Sequence, residues 1–245
     1  IRAVHNDSYS KGASTISVTG LLRPPQMRLL EEKHIDDISV DVSDEIWKLL
    51  GQSVHTILER ANEDNPETIT EERMYANVNG WTISGQTDSI SVDSGILKDY
   101  KVTSVWSVIS AMKEGKIDWE QQLNCYDWLN RKNYPERIIN QLNIITINRD
   151  WSKNQKMRSG ADYPNAPCSV ISIPKWSDEK QEEFIKERVS IHQEAEAEFL
   201  FSSEISRCTD EEVWRRKDSH RVMKKGRKSA LRVLETQELA DEFVS

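Results

Sequence analysis

The stretch Gly85–Lys101 reads GQTDSISVDSGILKDYK, and the rest of the chain is organised around it. Apolar and polar residues alternate about Asp88 (Ile83, Thr87, Ile90, Val92), as expected of a strand. Asp93-Ser94-Gly95 is a turn signal, and Ile96–Val102 reads as a second strand. In a twisted hairpin of this length Asp88 and Asp99 lie side by side. Side chains alternate along a strand, so Asp99 and Lys101 share a face. Two carboxylates and an amine converging on one sheet face suit metal-assisted hydrolysis of a phosphodiester. The acids would hold a hard divalent cation through oxygen, and the lysine would steady the attacking water or the developing phosphate charge. Read alone, the segment equally describes two half-exposed acids and a surface lysine, because short motifs recur by chance.

The 245 residues suit one large domain, or a core with a smaller appendage. Thirty per cent are charged, and no apolar run approaches the ~20 residues that span a bilayer. The chain opens with Ile1 rather than Met, which leaves a natural start upstream open. Three widely spaced cysteines (Cys125, Cys168, Cys208) argue against a disulfide framework and for a reducing, cytoplasmic setting. Without a CxxC pair, a zinc ribbon or iron–sulfur cluster is not expected. The net charge of −8 does not exclude a nucleic-acid partner, since binding depends on local patches.

Residues 1–14 are expected to form a polar loop, followed by a short start into structure at Thr15–Leu22, a break at Arg23-Pro24-Pro25 and a short helix at Gln26–Lys33. An amphipathic helix is expected from Asp44 to Arg60, capped by Ser43, with Ile46, Trp47, Leu50, Val54, Ile57 and Leu58 as its apolar stripe. Gly51 inside it costs about 1 kcal/mol relative to Ala, so a packing or functional reason is sought. His55 and Glu59 share one face of this helix; a lone histidine there fits packing or solvent as readily as a ligand. Met74–Val78, Asn79-Gly80 and Trp81–Ser84 form a hairpin signal. Helices are expected at Val105–Lys113, with Val105, Ile109 and Met112 at helical spacing, and at Ile117–Lys132, with Trp119, Leu123, Tyr126 and Leu129 inward. Gln122 and Tyr126 lie four apart on the second, a spacing that ordinary helix surface also gives. Arg137–Asn148 reads as a buried strand, 149–166 as a polar loop carrying Lys153, Lys156 and Arg158, and Cys168–Ile173 as a strand. A long acidic helix follows at Ser177–Ser203. Between Arg207 and Arg232 ten Lys/Arg face four acids, and Lys224, Lys225, Arg227 and Lys228 form the tip of an expected hairpin, either solvated or contacting phosphate.

Taken in order, Gly51-x-x-x-His55, Gly85-x-x-Asp88, Asp99-Tyr100-Lys101 and Gln122-x-x-x-Tyr126 resemble the motifs of the RecB-like branch of the PD-(D/E)XK nucleases, over residues 15–175. The resemblance implies an α/β (α+β) fold with a restriction-endonuclease-like core, a central mixed sheet flanked by helices, as a nuclease domain over 1–205 with a basic extension at 206–245. It implies that His55, Asp88, Asp99 and the Tyr100 carbonyl bind Mg²⁺ or Mn²⁺, that Lys101 orients or activates water, and that Gln122 and Tyr126 help hold the lysine and the substrate backbone. Glu59 would reach the metal through water. Thr87 stands where the superfamily's name has proline, and the second acid is Asp rather than Glu. The four cysteines of CRISPR-associated relatives are absent, and so is a helicase segment. The implied activity is a DNA exonuclease of the phage or prophage recombination type, acting on DNA with a single-strand annealing or recombination partner, as a monomer or oligomer and without a membrane. A structure-specific or restriction-type endonuclease and a silent DNA-binding module are the alternatives; a silent relative has no reason to keep Asp88, Asp99 and Lys101 together.

Overall fold

The computed structural model describes residues 12–43 and 45–244. The chain packs as two units, Ile1–Ile205 and Ser206–Ser245. The first begins with a two-residue strand, β1 (Ile16–Ser17), running directly into a short helix, α1 (Val18–Leu22), whose N-terminus the Ser17 hydroxyl caps by accepting from the Gly20 amide at 3.1 Å. After α2 (Pro25–Lys33) and α3 (Ile46–Arg60) come three long strands, β2 (Thr68–Val78), β3 (Trp81–Ser91) and β4 (Ile96–Thr103). Two helices, α4 (Val105–Glu114) and α5 (Ile117–Asn133), lead to β5 (Gln141–Asn148). The short α6 (Lys153–Arg158), the strand β6 (Cys168–Ile173) and the long α7 (Asp178–Ser202) complete it. The second unit holds β7 (His220–Val222), β8 (Arg232–Leu234) and α8 (Gln237–Val244).

The six strands of the first unit form the mixed sheet that the motif order implies, in the order β1-β3-β4-β5-β6 with β2 on β3. Asn79 and Gly80 adopt φ +49° and +83°, the backbone of a tight hairpin turn, and set β2 against β3 from Val78↔Trp81 to Thr68↔Ser91. β2 therefore covers one whole edge of β3. The other edge is shared: β1 runs parallel to it at Ile83–Ser84, and β4 runs antiparallel at Ser89–Ser91. Between these pairings Gly85–Asp88 has no ladder partner on that side among the described residues, so the sheet forks there. β4 in turn pairs with β5 along its full length, from Ile96↔Gln141 to Thr103↔Asn148.

α5 lies between the sheet and α7 and is buried on nearly every side. Trp119, Leu123, Tyr126, Trp128 and Leu129 join the core, as expected for four of the five. Its buried polar residues are all bonded. Asn124 donates to the Glu120 and Pro174 carbonyls at 2.8 and 3.0 Å and accepts from the Trp176 amide at 2.8 Å. Asp127 accepts from Gln181 at 2.7 Å, and Asn130 donates to the Arg137 carbonyl at 2.8 Å. Such contacts fix the helix axially, which apolar packing alone does not.

Several expectations need correction. α3 starts at Ile46; Asp44 lies outside the described residues, as do residues 1–11 of the N-terminal loop. Ser43 caps nothing, because its hydroxyl and amide both bond the Asp41 carboxylate. No residue of α3 is buried, although its stripe is strongly apolar. On α4 the inward face is Val105, Val108 and Ala111, while Met112 is 58% exposed. β2 begins six residues before the expected Met74, β5 begins at Gln141 with Ile138 exposed, and the polar loop contains α6, capped by Ser152.

α7 is capped by Ser177, as expected, and packs Ile185, Val189 and His192 inward. His192 is wholly buried. Its Nε2 donates to the Leu21 carbonyl at 3.0 Å, and its Nδ1 accepts from Arg28 Nε at 3.1 Å, so the ring is neutral. Burial, with Arg188 and Arg28 nearby, holds its pKa down at about 4. A group whose folded pKa lies below its ordinary ~6.5 contributes fully above that value and is lost as pH falls through it. Between pH 8 and 5 the protein should lose on the order of 1–2 kcal/mol through this group. Denaturant melts of the wild type and of His192→Gln should differ by that slope; equal slopes would refute the assignment.

Candidate active site

The fork in the sheet opens into a cleft of about 1000 Å³. β1 and α1 form one wall through Ser17, Thr19 and Gly20, α3 overhangs it with Gly51, Gln52, His55 and Glu59, and Tyr126 and Gln122 of α5 reach its floor. Asp88, Asp99 and Lys101, predicted from the sequence, stand at its centre.

The register Ser89↔Lys98 is the last ladder pair before the fork, and the next residues on the two strands are Asp88 and Asp99. Beyond it the Asp88 side chain takes over from the backbone: its Oδ2 accepts from the Tyr100 amide at 2.6 Å. Asp99 points inward and is 2% exposed. Its Oδ2 lies 2.8 Å from Lys101 Nζ in an ion pair but has no hydrogen bond of good geometry. Burial pushes the Asp99 carboxyl up to about 6, with Lys101 pulling against that and Asp88 adding to it. Lys101 also donates to Gln122 Oε1 at 3.0 Å, and Gln122 Nε2 donates to the Tyr126 hydroxyl at 2.9 Å. Asp99, Lys101, Gln122 and Tyr126 thus form one chain. Burial works against the Lys101 charge, but Asp99 outweighs it, so the ammonium is held above its ordinary range.

His55 comes down from α3 onto the same point. Its Nε2 lies 3.2 Å from the Tyr100 carbonyl, and its Nδ1 lies 3.4 Å from Asp88 Oδ1 and 3.7 Å from Glu71 Oε1. The facing carboxylates, Asp88 first and then Glu71, raise its pKa to about 10 despite burial, so the ring must give up a proton before it can bind a cation.

Glu71 is the residue that sequence reading missed. It sits opposite Asp88, where the β2–β3 ladder skips from Thr70↔Ser89 to Glu72↔Thr87. Its φ of +50° is a left-handed backbone that glutamate rarely adopts, a strain of about 1–3 kcal/mol of the kind stored at functional sites. Gln86 Nε2 donates to Glu71 Oε2 at 2.8 Å, and Arg73 donates to Gln86 Oε1. A guanidinium has no acceptor, so Arg73 fixes the Gln86 amide the right way round to orient Glu71. One ligand atom each from His55, Glu71 and Asp88 lie within 4.8 Å of one another. Together with the Asp99 oxygen that lacks a hydrogen bond, this donor set fits a divalent cation that displaces the His55 proton.

Gly85 is required by packing. A Cβ there would stand 2.5 Å from Leu129 Cδ1 and 2.9 Å from the Tyr126 ring. Gly51 has no such reason, since nothing stands within 4 Å of where its Cβ would be; it simply leaves the cleft wall open. Glu59 borders the cleft. In the second unit, Lys224, Lys225, Arg227 and Lys228 are exposed about a turn closed by Arg227 N bonding the Lys224 carbonyl at 3.0 Å, with Gly226 at φ +88°. β7 and β8 pair only from His220↔Leu234 to Val222↔Arg232, so the basic tip is a longer loop than expected.

The chain matches no protein-family model and no curated protein at a significant level. Its fold is similar to that of SSO0001, with a TM-score of 0.51 and 21% identity over 84% of this chain and 86% of that one. It is also similar to that of a candidate exonuclease from Eubacterium rectale, with a TM-score of 0.50 and 14% identity over 91% and 94%. A phage related exonuclease from Haemophilus somnus 129PT aligns more loosely, at 0.42 and 13% over 73% and 83%. At these identities the likeness is one of fold. Among the described residues no helix is long and apolar enough to cross a membrane.

Proposed function

We propose that this chain, which has the RecB-like nuclease fold, is a metal-dependent DNA exonuclease. The observation that carries the reading is the convergence of His55, Glu71, Asp88, Asp99, Lys101 and Gln122 on one cleft where the sheet forks. Mg²⁺ or Mn²⁺ held by Asp88, Asp99, His55 and the Tyr100 carbonyl would supply Lewis-acid polarisation of the phosphodiester and acidify water. The protein supplies the rest. Lys101, kept charged between Asp99 and Gln122, presents N–H groups to the attacking water and to the charge developing on phosphate; it is a donor and not the base. Gln122, oriented by the Tyr126 hydroxyl, holds that ammonium in place. Lys48 and Arg73 on the cleft walls add positive charge beside the strand backbone, Arg73 keeping its charge because its partner Gln86 is neutral. A role in phage or prophage recombination, beside a strand-annealing protein in a bacterial cytoplasm, is proposed on the motif resemblance.

The test is a time course on end-labelled linear DNA and closed-circular DNA, with Mg²⁺ and with Mn²⁺. Nucleotides released from linear ends with circles spared is the expected result. Attack on circles would make the protein an endonuclease, and no cleavage of either would leave a silent DNA-binding module.

Glu71 is proposed as a further ligand to the cation. Glu71→Gln should weaken Mn²⁺ binding by about tenfold, the low end of what loss of a supporting group does to a metal site. Electron paramagnetic resonance of free Mn²⁺ measures it directly, and unchanged binding would return Glu71 to a structural role. The basic loop is proposed to contact backbone phosphate. Neutralising Lys224, Lys225, Arg227 and Lys228 should flatten the salt dependence of DNA binding, by up to about 0.9 in slope for each contact removed; an unchanged slope would leave the loop merely solvated.

A further inference from the structure

Trp47, Gly51, His55 and Glu59 recur every four residues along α3 and so lie on one stripe. The last three border the cleft. Trp47 sits two turns from His55, about 12 Å along the axis at ~1.5 Å per residue. Its indole is not part of a core: the residue is 53% exposed, and the Arg149 guanidinium lies over one face at 4.2 Å from the ring centre. Arg149 follows β5, and its amide bonds the Thr103 carbonyl at the end of β4 at 3.0 Å. The indole is therefore tied to the strand that carries Asp99 and Lys101. Gly51, between Trp47 and His55, presents no side chain, so nothing at that position stands between the ring and the site.

We propose that Trp47 is a stacking platform for an unpaired base of the DNA strand entering the cleft, a few nucleotides from the phosphate to be cut. The inference rests on the nuclease reading. A base is the occupant that fits: it is flat, it has a π-face, and its adjoining phosphate is anionic beside Arg149. Cation-backed aromatic rings of this kind bind single strands without regard to sequence. A paired base has both faces covered by its neighbours, so the platform selects a strand that has left the duplex.

The experiment uses a single-stranded oligonucleotide with phosphorothioate linkages throughout and 2-aminopurine at successive positions, in Mg²⁺. Wild-type protein should quench the fluorophore at one or two adjacent positions. Trp47→Ala should abolish that quench and bind about tenfold more weakly, the effect of losing one stacked base. Trp47→Phe should retain most of both, Trp47→Leu should behave as the alanine variant, and duplex DNA should be bound unchanged by all three. Wild-type affinity in Trp47→Ala, or in Trp47→Leu, would overturn the proposal. So would a change in sedimentation of Trp47→Ala with DNA affinity intact, which would make the surface a protein contact. Failure of the wild type to bind any oligonucleotide would overturn the nuclease reading as well; wild-type binding that survives Trp47→Ala removes the platform alone.

Discussion

Replacing Lys101 with alanine should slow DNA cleavage by about 10²–10³-fold while leaving DNA binding nearly intact, the loss expected when one preorganised donor to transition-state charge is removed. The ammonium is held between Asp99 Oδ2 at 2.8 Å and Gln122 Oε1 at 3.0 Å, so it needs no reorganisation as charge builds up on the phosphate. Binding is spread over the cleft walls and survives. Asp99→Ala should be at least as damaging, because it removes the buried carboxylate that both fixes the lysine and faces the cation pocket. Release of label from the ends of linear DNA measures the rate, and filter binding measures the affinity. Full activity in both variants would sink the site assignment.

A single methyl group added at Gly85 should be felt at the same site. The new Cβ would meet Leu129 Cδ1 at 2.5 Å and the Tyr126 ring at 2.9 Å. Both side chains are buried, and the Tyr126 hydroxyl accepts from Gln122. Overpacking of this kind costs about 1–3 kcal/mol. In a chain of this size that lowers the melting temperature by roughly 2–4 °C for each kcal/mol. The tyrosine in that contact is the one that aims Gln122 at Lys101, so cleavage should fall further than stability accounts for. A thermal melt and a cleavage rate on Gly85→Ala separate the two effects; a loss of stability with wild-type turnover would show that the Tyr126–Gln122 bond is dispensable.

The fold and the candidate site were legible where local chemistry carries a signature. Asn79-Gly80 states its turn, Ser177 states its cap, and the spacing of Asp88, Asp99 and Lys101 follows from strand alternation. Gln122 and Tyr126 are ordinary in themselves and became readable only in order with the others. What remained hidden depends on three dimensions. Glu71 stands in Thr-Ile-Thr-Glu-Glu-Arg, a stretch without apolar alternation, and its left-handed backbone arises where it faces Asp88 across the ladder. The α3 stripe announces an apolar face but cannot say what covers it, and here that helix overhangs an open cleft. Met112 has the spacing of a core residue, yet the sheet meets α4 on the Val105, Val108 and Ala111 face. The six residues of α6 are too few to show a period at all.

The fork has a mechanical meaning as well. β4 is anchored to β5 along its whole length, whereas β3 is paired mainly with β2 and β1. Asp99 and Lys101 therefore belong to one plate of the sheet, and Asp88 and Glu71 to the other. The plates are joined at Ser89–Ser91, by the Tyr100 amide donating to the Asp88 carboxylate, and by α5, which packs on strands of both. The spacing between the two acids is therefore set by how the plates are packed against α5 as well as by the acids themselves.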